Sequence, residues 1–160
     1  MSELDLRALL QALHDQDVRF IVIGGVAVGA HGYIRATADL DLVPDPDPTN
    51  LERLVTALGS LEATLPTAEG RPFDPEGDAG TVQRGANVTA ETKFGGLDIV
   101  QIAQGVPGYV VLERDAVESD LLGVPVRICS LSRLREMKEA QGRAQDRADL
   151  ENLPLPENLN

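Results

Sequence analysis

The chain has 160 residues, 42% of them hydrophobic and 3% aromatic, with 14 basic against 26 acidic side chains and a formal net charge of −12. That length suits one domain with a sizeable core, and the acidity argues against broad, non-specific binding to nucleic acid or to anionic membranes. Cys129 is the only cysteine, which excludes an internal disulfide, and no apolar run reaches the ~18 residues of a membrane span. The start, "MSELDLRALLQALHDQD", is too polar for a signal peptide, so a soluble, cytoplasmic protein is expected.

Ser2 and Asp5 resemble a capping box, and Leu6, Leu9, Leu10 and Leu13 follow at helical spacing. "RFIVIGG" reads as a short buried strand stopped by glycines, and "VAVGAHG" as a short helix starting at Gly25 and closed by Gly32. "ADLDLVP" is a second strand that Pro44 ends. After the acidic loop "PDPDPTN", Thr49 is the expected N-cap of a helix over about 50 to 60, with Leu51, Leu54, Val55, Leu58 and Leu61 as its apolar stripe. Residues 64 to 85 are rich in Gly, Pro, Asp and Glu and poor in apolar side chains, which predicts a long mobile loop suited to a lid. "ANVTAETKF" and "LDIVQI" predict a hairpin turning at the two glycines between them. A helix near 108 to 116 follows, and "AVESDLLGVPVRICS" reads as two strands turning at Gly123. Ser130 caps "LSRLREMKEAQ", and "QDRADLENL" supplies a last helical turn or two. The expected class is α+β, a mixed β-sheet flanked by helices, in one domain over residues 1–153 with a Pro-rich tail at 154–160.

Asp39 and Asp41 carry the first chemical signal. On a strand they project from the same face, about 6–7 Å apart, while Leu40 and Leu42 point into the core. Two carboxylates so placed repel unless a cation lies between them, and Mg2+ is commonly held by one or two carboxylates together with substrate phosphates. An exposed sheet edge is the plainer reading of the pair taken alone. Gly24 and Gly25 lie at a strand-to-helix turn 14 residues ahead of Asp39 (counting from Gly25), where the backbone can approach a phosphate closely. A third carboxylate, Asp98 in "GGLDIVQ", falls on an apolar strand, where an acid is rarely left unpaired. Beside Asp39 and Asp41 it would complete a cluster able to hold metal and accept a proton. One cysteine and two histidines, His14 and His31, make no zinc ligand set and read as structural or surface residues.

The stretch "GGVAVGAHGYIRATADLDLV", with the later lone Asp98, resembles the nucleotidyltransferase fold of the DNA polymerase β superfamily, and most of all its small toxin-type members of the AbiEii and MenT class. Gly24, Gly25 and Ala27, then Arg35, Thr37, Asp39 and Asp41, match the first motif of that class. Lys138, Arg143, Asp146 and Asp149 match the last, although Asp146 and Asp149 also suit a helix N-cap and a surface acid. The resemblance implies a metal-dependent transfer of a nucleoside monophosphate from an NTP to a hydroxyl. It makes Asp39, Asp41 and Asp98 catalytic and ligands to Mg2+ or Mn2+, and Gly24, Gly25, Arg35 and Lys138 nucleotide-binding. The implied acceptor is an RNA or tRNA 3′ end, a protein or a small molecule, and an antitoxin protein is an implied partner. A glycine pair in place of the Gly-Ser of many such transferases, and the absence of an extra helical domain, bear on the acceptor more than on the metal site. The competing reading is an inactive member of the fold acting through a protein partner, which a lost carboxylate would have favoured.

Overall fold

A computed structural model describes residues 3–156. Helix α1 (Leu6–Asp15) starts from Asp5, whose carboxylate accepts the Ala8 amide at 3.1 Å, and it buries Leu9, Leu10 and Leu13. Ser2, the other half of the expected capping box, lies outside the described residues, as do residues 157–160 of the tail. Then come β1 (Phe20–Ile23), α2 (Gly24–Ala30), β2 (Asp39–Pro44) and α3 (Pro48–Ser60). They are followed by β3 (Thr64–Leu65), β4 (Arg71–Pro72), α4 (Ala79–Gln83), β5 (Val88–Thr92) and β6 (Gly95–Ile99). The chain closes with α5 (Tyr109–Glu113), β7 (Val117–Leu121), β8 (Val124–Ile128), α6 (Leu131–Gln141) and α7 (Ala144–Asn152).

Among the described residues the eight strands form one mixed sheet in the order β4-β3-β5-β6-β2-β1-β8-β7, flanked by helices in an α+β fold. The β1–β8 and β2–β6 pairs are parallel and the remaining pairs antiparallel. The three strands that carry the sequence signals, β6, β2 and β1, are therefore neighbours. All four residues of β1 are buried, which is why "FIVI" is a continuous apolar run rather than an alternating one.

Three local expectations are corrected. The N-cap of α3 is Asp47, not Thr49: its Oδ1 accepts the Thr49 and Asn50 amides at 3.0 and 3.3 Å, because Pro48 has a fixed φ and no N–H and so takes the first helical position. The β5–β6 turn falls at Lys93–Phe94, and the two glycines open β6 instead of making the turn. Residues 64–85 are not a structureless loop but a small hairpin and a short helix. Few apolar residues suffice there because two of them, Phe73 and Val82, reach the core. Polar bonds do the rest: the Phe73 amide donates to Ala63 O at 2.8 Å, and Arg71 forks onto Asp78 at 3.0 and 2.9 Å.

Candidate active site

The pairing register builds the site. Ile23 of β1, Asp41 of β2, Asp98 of β6 and Thr89 of β5 stand opposite one another in a row across the sheet. A second row, two residues along, holds Asp39, Gly96 and Glu91. Paired strands lie about 4.8 Å apart and residues two apart share a face, so Asp39, Asp41 and Asp98 form one cluster. Glycines make the room. A Cβ at Gly24 would collide with Asp41 Oδ2, and one at Gly96 with Asp39 Oδ1. Gly24 also adopts φ +68°, which glycine accepts without strain.

The crowding shows in the electrostatics. Burial is the largest cause pushing the Asp41 carboxyl up to about 7, followed by a hydrogen bond with Asp98 and the charges of Asp98 and Asp39; Lys138 opposes them. Asp39 is raised as well, by burial first and then by the Asp98 charge. Three carboxylates gathered on one face, with glycines making room around them, are hard oxygen donors of the kind that suit a divalent cation. Among the described residues no group of three or more His, Cys, Asp or Glu side chains is arranged so that it could hold a metal ion by itself.

Opposite the carboxylates lies a buried ionic network. Lys138 Nζ sits 3.1 Å from Asp146 Oδ1 and 3.0 Å from Asp149 Oδ2, and all three side chains are buried. Asp149 also takes a fork from Arg35, Nε to Oδ1 at 2.7 Å and Nη2 to Oδ2 at 2.9 Å. Asp149 is thus a core residue and not a surface acid. Burial pushes its carboxyl up, but the hydrogen bonds from Arg35, Lys138 and Gln145 outweigh it and hold it down at about 2. Asp146 accepts the Arg143 amide at 3.1 Å at the start of α7 and the Arg143 Nε at 2.7 Å. The Arg143 side chain remains 70% exposed.

Gly24, Asp41, Asp98 and Lys138 line one cavity of about 320 Å³, together with Arg143 and the apolar Ile23, Leu134 and Met137. Asp98 also lines a neighbouring recess of about 450 Å³, where Asp39 is found. Two residues expected at the nucleotide lie outside both linings. Arg35 spends Nε and Nη2 on Asp149, and Gly25 is packed beneath Thr37 and Arg35. Arg143, in the same sequence motif as Lys138, is a second cation on this lining that the motif does not single out. His31 is structural, its Nε2 meeting Cys129 O at 2.8 Å.

Among the described residues no helix is long and apolar enough to cross a membrane. No family model matches the sequence, and no curated protein matches it. Solved structures do. A protein from Thermotoga maritima described as a nucleotidyltransferase aligns with a TM-score of 0.57 at 13% identity, over 91% of this chain and 88% of that one. The antibiotic-resistance factor ANT(2″)-Ia aligns at 0.55 and 16% identity, over 91% and 78%. An antigenic nucleotidyltransferase-like protein from Paracoccidioides brasiliensis aligns at 0.54 and 16%, over 90% and 69%. At such identities the likeness is one of fold and does not reach the toxin class in particular. This chain has the nucleotidyltransferase fold.

Proposed function

We propose that this protein is a nucleotidyltransferase that moves a nucleoside monophosphate from an NTP to an acceptor hydroxyl and releases pyrophosphate. The observation that carries the reading is the cluster of Asp39, Asp41 and Asp98 beside a cavity that also holds Lys138 and Arg143. Asp39, Asp41 and Asp98 would hold Mg2+ or Mn2+, which when bound supplies positive charge to the phosphate oxygens. Arg143, exposed at the cavity wall, offers the guanidinium best placed to grip phosphate. Lys138 adds a fixed positive charge, tempered by its two aspartates. Asp98 touches both hollows and is the carboxylate to take the acceptor proton as the hydroxyl oxygen attacks the α-phosphorus. Arg35 works at a distance, holding Asp149 and through it Lys138. The toxin-type role and an antitoxin partner rest on the sequence motifs alone.

The test is release of pyrophosphate from each NTP with Mg2+ and a mixture of RNA, protein and small hydroxyl acceptors. Wild-type protein should turn over. Asp39→Asn, Asp41→Asn and Asp98→Asn should each slow it by orders of magnitude, since about 1.4 kcal/mol is tenfold in rate and charge neutralisation at phosphate is worth several. An Asp41→Asn variant as active as wild type would overturn the assignment of the site.

A further inference from the structure

We propose that a hollow at the far end of β1 from the carboxylates is a second ligand site. It takes a small monoanion in which one carboxylate is joined to a flat apolar body, and Arg127 grips the carboxylate. The hollow measures about 390 Å³, within the range of small-molecule sites, and shares no lining residue with the two hollows at Asp98. Phe20, the first residue of β1, lines it, whereas Ile23, the last, stands opposite Asp41. The two sites therefore lie at opposite ends of one strand, about 10 Å apart along it. Binding here is independent of nucleotidyl transfer.

Arg127 supplies the grip. Among the described residues its Nε is the one buried side-chain nitrogen or oxygen with no hydrogen-bond partner. A buried donor left alone costs free energy and calls for an acceptor. The rest of the guanidinium is loosely held: Nη2 donates to Glu113 O at 3.4 Å, and Nη1 lies 3.6 Å from Glu113 Oε1. Arg35 shows what the same edge does when engaged, since its Nε and Nη2 fork onto Asp149 at 2.7 and 2.9 Å. A ligand carboxylate offers the pair of oxygens that this edge of Arg127 lacks. The Arg127 side chain is 36% exposed and no bond of ordinary length fixes its head, so a small rotation brings that edge to the ligand.

The walls supply the rest. The chain has only 3 Phe and 2 Tyr and no Trp, yet Phe20 and Tyr109, both buried, line this one hollow with Leu10, Val18 and Val126. Aromatic and aliphatic faces of this kind hold a flat apolar group. Charge limits the anion to one. Arg19 is paired with Asp45 at 3.1 Å, Arg127 stands near Glu113, and Glu118 adds a carboxylate to the lining. One carboxylate is balanced by Arg127, whereas a di- or triphosphate would be repelled by the three acids.

The test titrates the full chain, without nucleotide, with 2-naphthoate, with its uncharged counterpart 2-naphthamide, and with acetate, which has the carboxylate but no body. Nitrogen–proton NMR spectra follow the backbone amides and the Arg127 Nε–H. At millimolar concentration 2-naphthoate should shift the amides of Phe20, Tyr109 and Val126 together with the Arg127 Nε–H. It should bind about tenfold or more tightly than either comparison compound, the worth of a charge-assisted fork on one side and of apolar burial on the other. Arg127→Gln should weaken it by a similar factor, and Arg127→Lys nearly as much, because lysine keeps the charge but loses the paired N–H groups. Comparison of the three compounds on wild-type protein decides the matter even where Arg127→Gln does not fold. Naphthamide or acetate bound as tightly as naphthoate, either variant at wild-type affinity, shifts confined to the surroundings of Asp98 and Lys138, or no shift in folded wild-type protein would each overturn the site.

Discussion

Asp41 pays in stability for its position. Its carboxyl is pushed up to about 7 by burial, by the Asp98 hydrogen bond and by two neighbouring charges, against an ordinary value of 3.8. The folded protein therefore holds a proton that the unfolded chain has released, and stability falls as pH rises across that window. Asp41→Asn removes the penalty. In urea unfolding without metal the variant should exceed wild type at pH 8 by up to roughly 4 kcal/mol, the most that a shift from 3.8 to about 7 can cost, and should gain nothing near pH 3.5. Equal stability at pH 8 would mean the carboxylates are not crowded. Asp149 behaves in the opposite sense: held down at about 2, it contributes stability that is present above about 4 and is lost as pH falls toward 2. Asp149→Ala leaves Arg35 and Lys138 without a shared partner and should cost about 3–5 kcal/mol by the same assay. The three site aspartates are legible in the sequence because alternation on a strand and an acid in an apolar run are local signals. The Arg35–Asp149 fork joins residues 114 positions apart, and no local pattern announces it.

At the scale of elements, residues 64–85 are the place where composition misleads. Gly, Pro and acids dominate the count, but stability there depends on where Phe73 and Val82 fall, not on how many such residues there are. Val82→Ala should destabilise by about 1–3 kcal/mol through the cavity it leaves. The Phe73 amide, bonded to Ala63 O at 2.8 Å, should exchange with solvent far more slowly than exposed amides of the same segment, as followed by hydrogen exchange. Exchange of Phe73 as fast as its exposed neighbours would restore the mobile loop. Asn50 belongs to the same lesson. Its side chain accepts the Arg19 amide at 2.7 Å and donates to Arg19 O and Asp45 O at 3.0 and 2.8 Å, tying α3 to the ends of β1 and β2. A polar residue on a helix's apolar face reads as noise until its partners are seen. Strands and longer helices, by contrast, were legible to within a few residues, because period and caps are written locally.

Across the whole molecule, strand order turns these local features into a site. Placing β2 between β1 and β6 brings Gly24, Asp41 and Asp98 to one face, and α6 with α7 sets Lys138 and Arg143 against them. Adjacency of the three strands could be anticipated from where carboxylates and glycines would be useful together. The β7–β8 hairpin is announced by its turn at Gly123, but its place beside β1 is not, and nothing in the sequences of β3 and β4 names a neighbour. The central claim is that the α-phosphoryl group, with its nucleoside, moves to an acceptor. It is tested most directly by incubating wild-type protein, Mg2+ and acceptor with NTP labelled at the α-phosphorus in one reaction and at the γ-phosphorus in another. The account predicts that label from the α position becomes bound to the acceptor while label from the γ position appears only in pyrophosphate, and that Asp41→Asn abolishes both. Transfer of γ label to the acceptor, or no release of either label by folded wild-type protein with any NTP and acceptor, would contradict it.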